Sequence, residues 1–178
     1  FDASDNYWVS EYPNNATFHS YIDINFKTHT SLESFLITGK ILDYDNNGNN
    51  DYHGFPTKIK VYTALNDDEL LLNTVFVGSP VHPMTEAQFV FSNPVNCTKV
   101  RLEFSEVTED KAYSNGEHTT VIKSLKLIKS LGFDDVEFKK PESPYDQEYT
   151  KLHTVPRSQY TFTSTGDKDQ YPISNAFD

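Results

Sequence analysis

Apolar and polar residues alternate with a period of two through most of this chain, and no long stretch repeats every 3.6 residues. In "HSYIDINFK" (19–27), Ile22, Ile24 and Phe26 interleave with Tyr21, Asp23 and Asn25; "TKIKVYTAL" (57–65) and "TKVRLEFSE" (98–106) alternate in the same way. A period of two puts successive side chains on opposite faces of a strand, one dry and one wet. Further runs rich in β-branched and aromatic residues are "SFLITGKIL" (34–42), "LLLNTVFVG" (70–78), "AQFVFS" (87–92), "TTVIKSLKLIK" (119–129) and "SQYTFTS" (158–164). Turn chemistry separates them, as in "NDD" (66–68), "NPVN" (93–96) and "SNG" (114–116). About eight short half-buried strands predict an all-β fold, an antiparallel two-sheet sandwich of jelly-roll type.

At 178 residues the chain is the size of one domain, and 37% hydrophobic content with 14% aromatics is too rich for a disordered one. No apolar run approaches the roughly 20 residues of a membrane-spanning helix. A formal charge of −11 repels phosphate backbones and anionic lipid, so nucleic acid and acidic membranes are poor partners. The single cysteine, Cys97, excludes an internal disulfide. Asn15-Ala16-Thr17 and Asn96-Cys97-Thr98 are N-glycosylation sequons, although Asn-, Ser- and Thr-rich chains also produce them by chance. With no initiator Met, basic n-region or apolar h-region, the chain reads as a fragment or a mature piece.

Residues 1–130 form the predicted body. Residues 131–157 are rich in proline and charge and read as a connector, and 158–178 bring one more strand, "SQYTFTST", which needs a sheet to join.

"VPRSQYTFTST" followed by "YPISNAFD" at the end of the chain resembles the opening strand of the discoidin family, the coagulation-factor F5/8 type C domains. "FDASDNYWVSEY", at the beginning, resembles the continuation of that motif, and "YIDINF", "FPTKIKVYTAL", "VRLEF" and "VIKSLKLIK" resemble later strands. The likeness covers nearly everything except the connector, and it implies a galactose-binding-domain-like sandwich. It also implies a circularly permuted domain, or one period cut out of register from a tandem array. Residues 160–165 then fill the first-strand position, either in their own chain or in a neighbouring copy.

The sharpest local motif is "DYDNNGNNDYHG" (43–54). Asp43, Asp45, Asn47, the Asn49 carbonyl and Asp51 stand at positions 1, 3, 5, 7 and 9 of a calcium loop, with Gly48 at position 6. Position 12, where a bidentate Glu belongs, is Gly54. An Asn/Asp/Gly-rich surface turn that binds nothing has the same composition. The family resemblance implies a second calcium position, using Asp178 or Asp2 together with Asp5, but the Glu that closes it in relatives corresponds here to Ser124.

Family members bind partners through loops at one end of the sandwich, which here implies 10–15, 43–54 and 108–118. Tyr12, Tyr44, Tyr52, His53, Tyr113 and Asn115 are the candidate ligand-binding residues: tyrosine rings stack on sugar C–H faces, and amide and imidazole groups bond hydroxyls. Half-buried loop anchoring is the competing role for each Tyr, and Trp8 is assigned to the core. These loops are polar and acidic, unlike the apolar spikes of membrane-binding relatives.

Six scattered histidines (His19, His29, His53, His82, His118 and His153) and a lone Cys97 supply no nucleophile or metal signature. The expectation is a non-catalytic module. It binds glycan and mediates adhesion at a cell surface with calcium-stabilised loops, or it is a structural repeat of a cytoplasmic or ciliary scaffold contacting protein and neighbouring copies. A targeting appendage to an enzyme is the third reading.

Overall fold

The computed structural model describes residues 7–10, 18–39, 41–42, 51–52, 54–78, 87–108, 119–130, 154–166 and 172–177. The strands are β1 (Trp8–Val9), β2 (Ser20–Thr38), β3 (Ile41–Leu42), β4 (Asp51–Tyr52), β5 (Pro56–Ala64), β6 (Leu71–Val77), β7 (Ala87–Val107), β8 (Val121–Ile122), β9 (Ser124–Lys129) and β10 (Tyr160–Ser164). Every pairing is antiparallel. Two 3-10 turns, Arg157–Gln159 and Ile173–Ala176, are the described helical elements.

Two of these strands are far longer than the alternation predicts. The expected strands 19–27 and 34–42 fall largely within β2, which ends at Thr38, and 87–92 and 98–106 are halves of β7. The β2–β7 register slips twice. Residues 26–29 of β2 stand against Thr98 alone, and residues 91–94 of β7 stand against Glu33 alone. Surplus residues on one strand bend a sheet, so the "NPVN" expected as a turn lies at a bulge within a continuing strand. The first slip splits the sheet into two leaves. One has the order β10, β2 (20–26), β7 (99–107), β5, β6; the other has β7 (87–97), β2 (30–38), β9.

The inward faces close on one core. Ile22, Ile24, Ile59, Val61, Val100, Leu102 and Phe104 of the larger leaf meet Leu32, Phe35, Ile37, Leu125 and Leu127 of the smaller. Phe35 contacts Phe76 edge-on at 5.5 Å and stacks on Phe89 at 4.9 Å between centroids, so an aromatic cluster bridges the leaves. Trp8 is fully buried 6.0 Å from Phe104, the core position read for it in the sequence. On the outer face, Asp23 accepts two bonds from Arg101, at 2.7 and 2.8 Å, and the guanidinium lies 3.8 Å over the Tyr21 ring. A bidentate ion pair of this kind fixes cross-strand register as well as adding energy.

β10 pairs with β2 of its own chain from Tyr160↔Phe26 to Ser164↔Ile22. The turn Ile173–Ala176 lies against β1, where Asn175 Nδ2 donates to the Tyr7 carbonyl at 3.0 Å. Thr154 and Val155, assigned to the connector by composition, are part of the packed body: Thr154 bridges Ile128, Val155 is buried, and its N–H donates to the Leu127 carbonyl at 2.8 Å. The turn expected at "NDD" is present, closed by Asp68 N–H to the Leu65 carbonyl at 3.0 Å, with Asn66 at φ 54°.

Cys97 is fully buried beside the bend, and desolvation pushes its thiol from 9.0 up to about 12. A group whose folded pKa is raised gives stability that is present below its unfolded pKa and lost as pH rises towards the folded value. Relative to Cys97→Ala, the protein should therefore lose stability between pH 9.0 and about 12, measured by urea unfolding across that range. Parallel pH curves for the two proteins would refute the shift.

Candidate functional site

The pairings and backbone bonds place the described roots of the three candidate loops at the same end of the sandwich. Ser20 pairs with Phe104 and Pro56 with Val107, while Ser20 Oγ meets Thr120 Oγ1 at 2.6 Å and Lys123 N–H donates to the Thr38 carbonyl at 2.9 Å, so β2 leaves this end and returns to it after the bend. Residues 10–15 lead into the start of β2, 43–54 lie between the end of β2 and the start of β5, and 108–118 follow β7. The opposite end carries the bend and the 65–70 turn.

A buried collar of hydrogen bonds ties the roots of these loops together. Ser10 N–H donates to the Thr120 carbonyl at 3.0 Å, and Thr120 N–H donates to Ser10 Oγ at 2.9 Å. Thr120 Oγ1 and Ser20 Oγ share a hydrogen bond of 2.6 Å. Ser10, Ser20 and Thr120 are all completely buried, which isolated hydroxyls would resist and a closed set of partners allows. β1 extends the join, with Trp8 opposite Ile122 and Val9 opposite Val121.

The root of the 43–54 loop is tied in through Gly54 and Phe55. Thr108 N–H donates to the Phe55 carbonyl at 2.8 Å, Phe55 N–H donates to Thr108 Oγ1 at 2.9 Å, and Val121 N–H donates to the Gly54 carbonyl at 3.0 Å. Gly54 has φ +64°, and a Cβ there would run into the Thr119 carbonyl oxygen and lie 2.9 Å from both Val121 N and Val121 Cγ2. Only glycine fits this close passage of one loop root past another. The residue that departs from the calcium pattern at position 12 is thus required by the backbone.

Of the candidate ligand residues, Tyr12, Tyr44, His53, Tyr113 and Asn115 lie outside the described residues, as do Asp43, Asp45, Asn47 and Asn49. Asp51 and Tyr52 are described in their backbone: they pair with Leu42 and Ile41, so β3 and β4 bring the two ends of the Asp/Asn run side by side. Sequence reading missed Ser10, Ser20, Thr108 and Thr120. Small hydroxyl residues beside strands look like solvated turn residues, and their burial depends on partners as distant as the 100 residues separating Ser20 from Thr120. Among the described residues no cluster of His, Cys, Asp and Glu could hold a metal ion, and no described helix is long and apolar enough to cross a membrane.

Solved structures share this fold. The paired CBM32-1 and CBM32-2 domains of ZmpB from Clostridium perfringens, carbohydrate-binding modules, superpose with a TM-score of 0.56 at 14% identity, covering 74% of this chain and 30% of theirs. The fold is the galactose-binding-like sandwich. The same domains in complex with GalNAc give a TM-score of 0.54 at 13% identity, over 72% of this chain and 29% of that one. A longer ZmpB structure that adds the M60 catalytic domain gives 0.53 at 15% identity, over 74% and 12%. The chain therefore spans less than a third of the length of each of these solved chains. No family model matches the sequence, and no curated protein does.

The close passage at Gly54 makes this end of the sandwich sensitive to single atoms. Gly54→Ala should destabilise the chain by at least about 2 kcal/mol, the cost of a left-handed non-glycine residue plus a backbone clash. Gly78→Ala, whose added Cβ meets nothing within 4 Å, should stay within about 0.5 kcal/mol of the parent. Equal midpoints for the two variants in chemical denaturation would contradict the close approach at Gly54.

Proposed function

We propose that this chain is a non-catalytic glycan-binding module that works outside the cell, recognising galactose- or GalNAc-type sugars through the loops 10–15, 43–54 and 108–118. The observation that carries the reading is the gathering of these three loop roots by one buried hydrogen-bonded collar at one end of a galactose-binding-like sandwich. A rigid base holding adjacent loops is what a shallow sugar site requires, since weak ligands cannot meet the cost of ordering their own receptor. The complex of a structural neighbour with GalNAc supports the choice of sugar class.

In this reading Tyr12, Tyr44, Tyr52 and Tyr113 supply flat apolar faces for the sugar ring, and His53 and Asn115 bond its hydroxyls. Titration calorimetry with galactose and GalNAc should give affinities from millimolar to micromolar. Replacing Tyr52 or Tyr113 with alanine should weaken binding about tenfold or more, the equivalent of about 1.4 kcal/mol. Unchanged affinity in both variants would remove these loops as the site.

Calcium is proposed for the 43–51 run, with Asp43, Asp45, Asn47, the Asn49 carbonyl and Asp51 as oxygen donors. The β3–β4 pairing supports it, because it closes the base of the loop that carries the donors. A cation that binds only the folded chain raises its unfolding midpoint by mass action. Calcium should therefore raise the thermal midpoint above that in chelator, and Asp45→Asn should shrink the rise. Coincident melting curves in calcium and chelator would end the calcium proposal while leaving sugar binding to be judged by calorimetry.

A further inference from the structure

The sequon Asn96-Cys97-Thr98 lies in the described part of β7, with its asparagine exposed. Val95 packs against the core and Cys97 is fully buried, while Asn96 between them is exposed. The period of two therefore turns the Asn96 amide away from the protein. Residues 92–94, which precede it, are exposed as well, at the bulge where β7 loosens from β2. The acceptor nitrogen is thus on an open surface next to a stretch of strand that already departs from regular pairing.

Two further features bear on what a substituent there would do. Asn96 pairs with Ser31, close to the bend, so the end that gathers the candidate loops lies on the order of 30 Å away along β7. The half-strand 87–97 has a partner on one side only among the described residues, β2, and its Val90 is 52% exposed. An open edge with exposed apolar side chains invites pairing with other chains, and bulky hydrophilic groups on such an edge prevent it.

We propose that Asn96 is an N-glycan acceptor, and that the fold holds its glycan on the open edge of the smaller leaf, away from the loop end. The donor is an oligosaccharide linked to a lipid diphosphate. The Asn96 Nδ2 forms a bond to the anomeric carbon of the first sugar, the bond from that carbon to the diphosphate oxygen breaks, the amide gives up one proton, and the lipid diphosphate leaves with the electron pair. The inference rests on the extracellular reading above, but occupancy of Asn96 is measured without any sugar ligand, so the failure of one is distinguishable from the failure of the other.

The test is to express the full 178-residue chain behind a secretion leader in a eukaryotic host and collect both the secreted and the endoplasmic-reticulum pools. Treatment with peptide N-glycosidase in heavy-oxygen water converts each glycan-bearing Asn into isotope-labelled Asp. The label should appear at residue 96, vanish in Asn96→Gln and persist in Thr98→Ser, which keeps the hydroxyl that the sequon requires. The glycosylated and deglycosylated chains should have the same circular dichroism, and the deglycosylated chain should aggregate faster. An unlabelled residue 96 in both pools, or label at Asn15 alone, would overturn the assignment. Equal aggregation of the two forms would overturn the edge-shielding role.

Discussion

The fold depends on the four-for-one slip between β2 and β7, where residues 26–29 oppose Thr98. A sheet of regular register this long would be one twisted ribbon with a wet face along its full length, and strands of 19 and 21 residues are well beyond the usual length of about five or six. The surplus residues let each long strand serve two leaves, so their inward faces meet and a single cluster from Trp8 to Ala176 is buried between them. Cys97 and Thr98 sit at this corner, one filling the core and the other receiving the Asn66 N–H at 2.6 Å from the neighbouring turn. Apolar burial drives the closure, and the bend makes it geometrically available.

The end where the candidate loops are rooted depends on a different kind of bond. Apolar contacts are non-directional and tolerate sliding by fractions of a residue, whereas the Ser10–Thr120 exchange and the Ser20–Thr120 pair fix which atom meets which. Buried polar sets of this kind are costly when half-satisfied and rigid when complete. Residues 10 and 20 are thereby held against Thr120, which lies 110 and 100 residues away, with defined mutual positions. Loops on such a base can change their tips without changing their roots, which is how one sandwich serves many ligands.

Much of this was legible in the sequence because a strand's period is short and local. The alternation around Ile22–Phe26, Ile59–Val61 and Val100–Phe104 identified the faces that are buried, and Asn66-Asp67-Asp68 marked a real turn. The join between halves of β2 was not legible, since Thr28, His29 and Thr30 look like an ordinary polar loop and continue as strand only because β7 bends with them. "NPVN" misled for the same reason: proline at an edge-strand bulge has the same local chemistry as proline in a turn. At the candidate site, glycine at position 54 read as a defect in an ion-binding pattern. Its cause is the Thr119 carbonyl, which sequence spacing cannot place beside it.

Gly54 also explains how the roots of the loops 43–54 and 108–118 are held against one another. Val121 N–H reaches the Gly54 carbonyl at 3.0 Å only because no side chain separates the two backbones. That bond and the two between Phe55 and Thr108 span both roots of the later loop, one before residue 109 and one after residue 118. A displacement of the earlier loop's root is therefore transmitted to both ends of the later one through backbone bonds, which are short and hard to stretch. Side chains beyond these roots can then vary while the separation of the roots themselves stays set by backbone bonds.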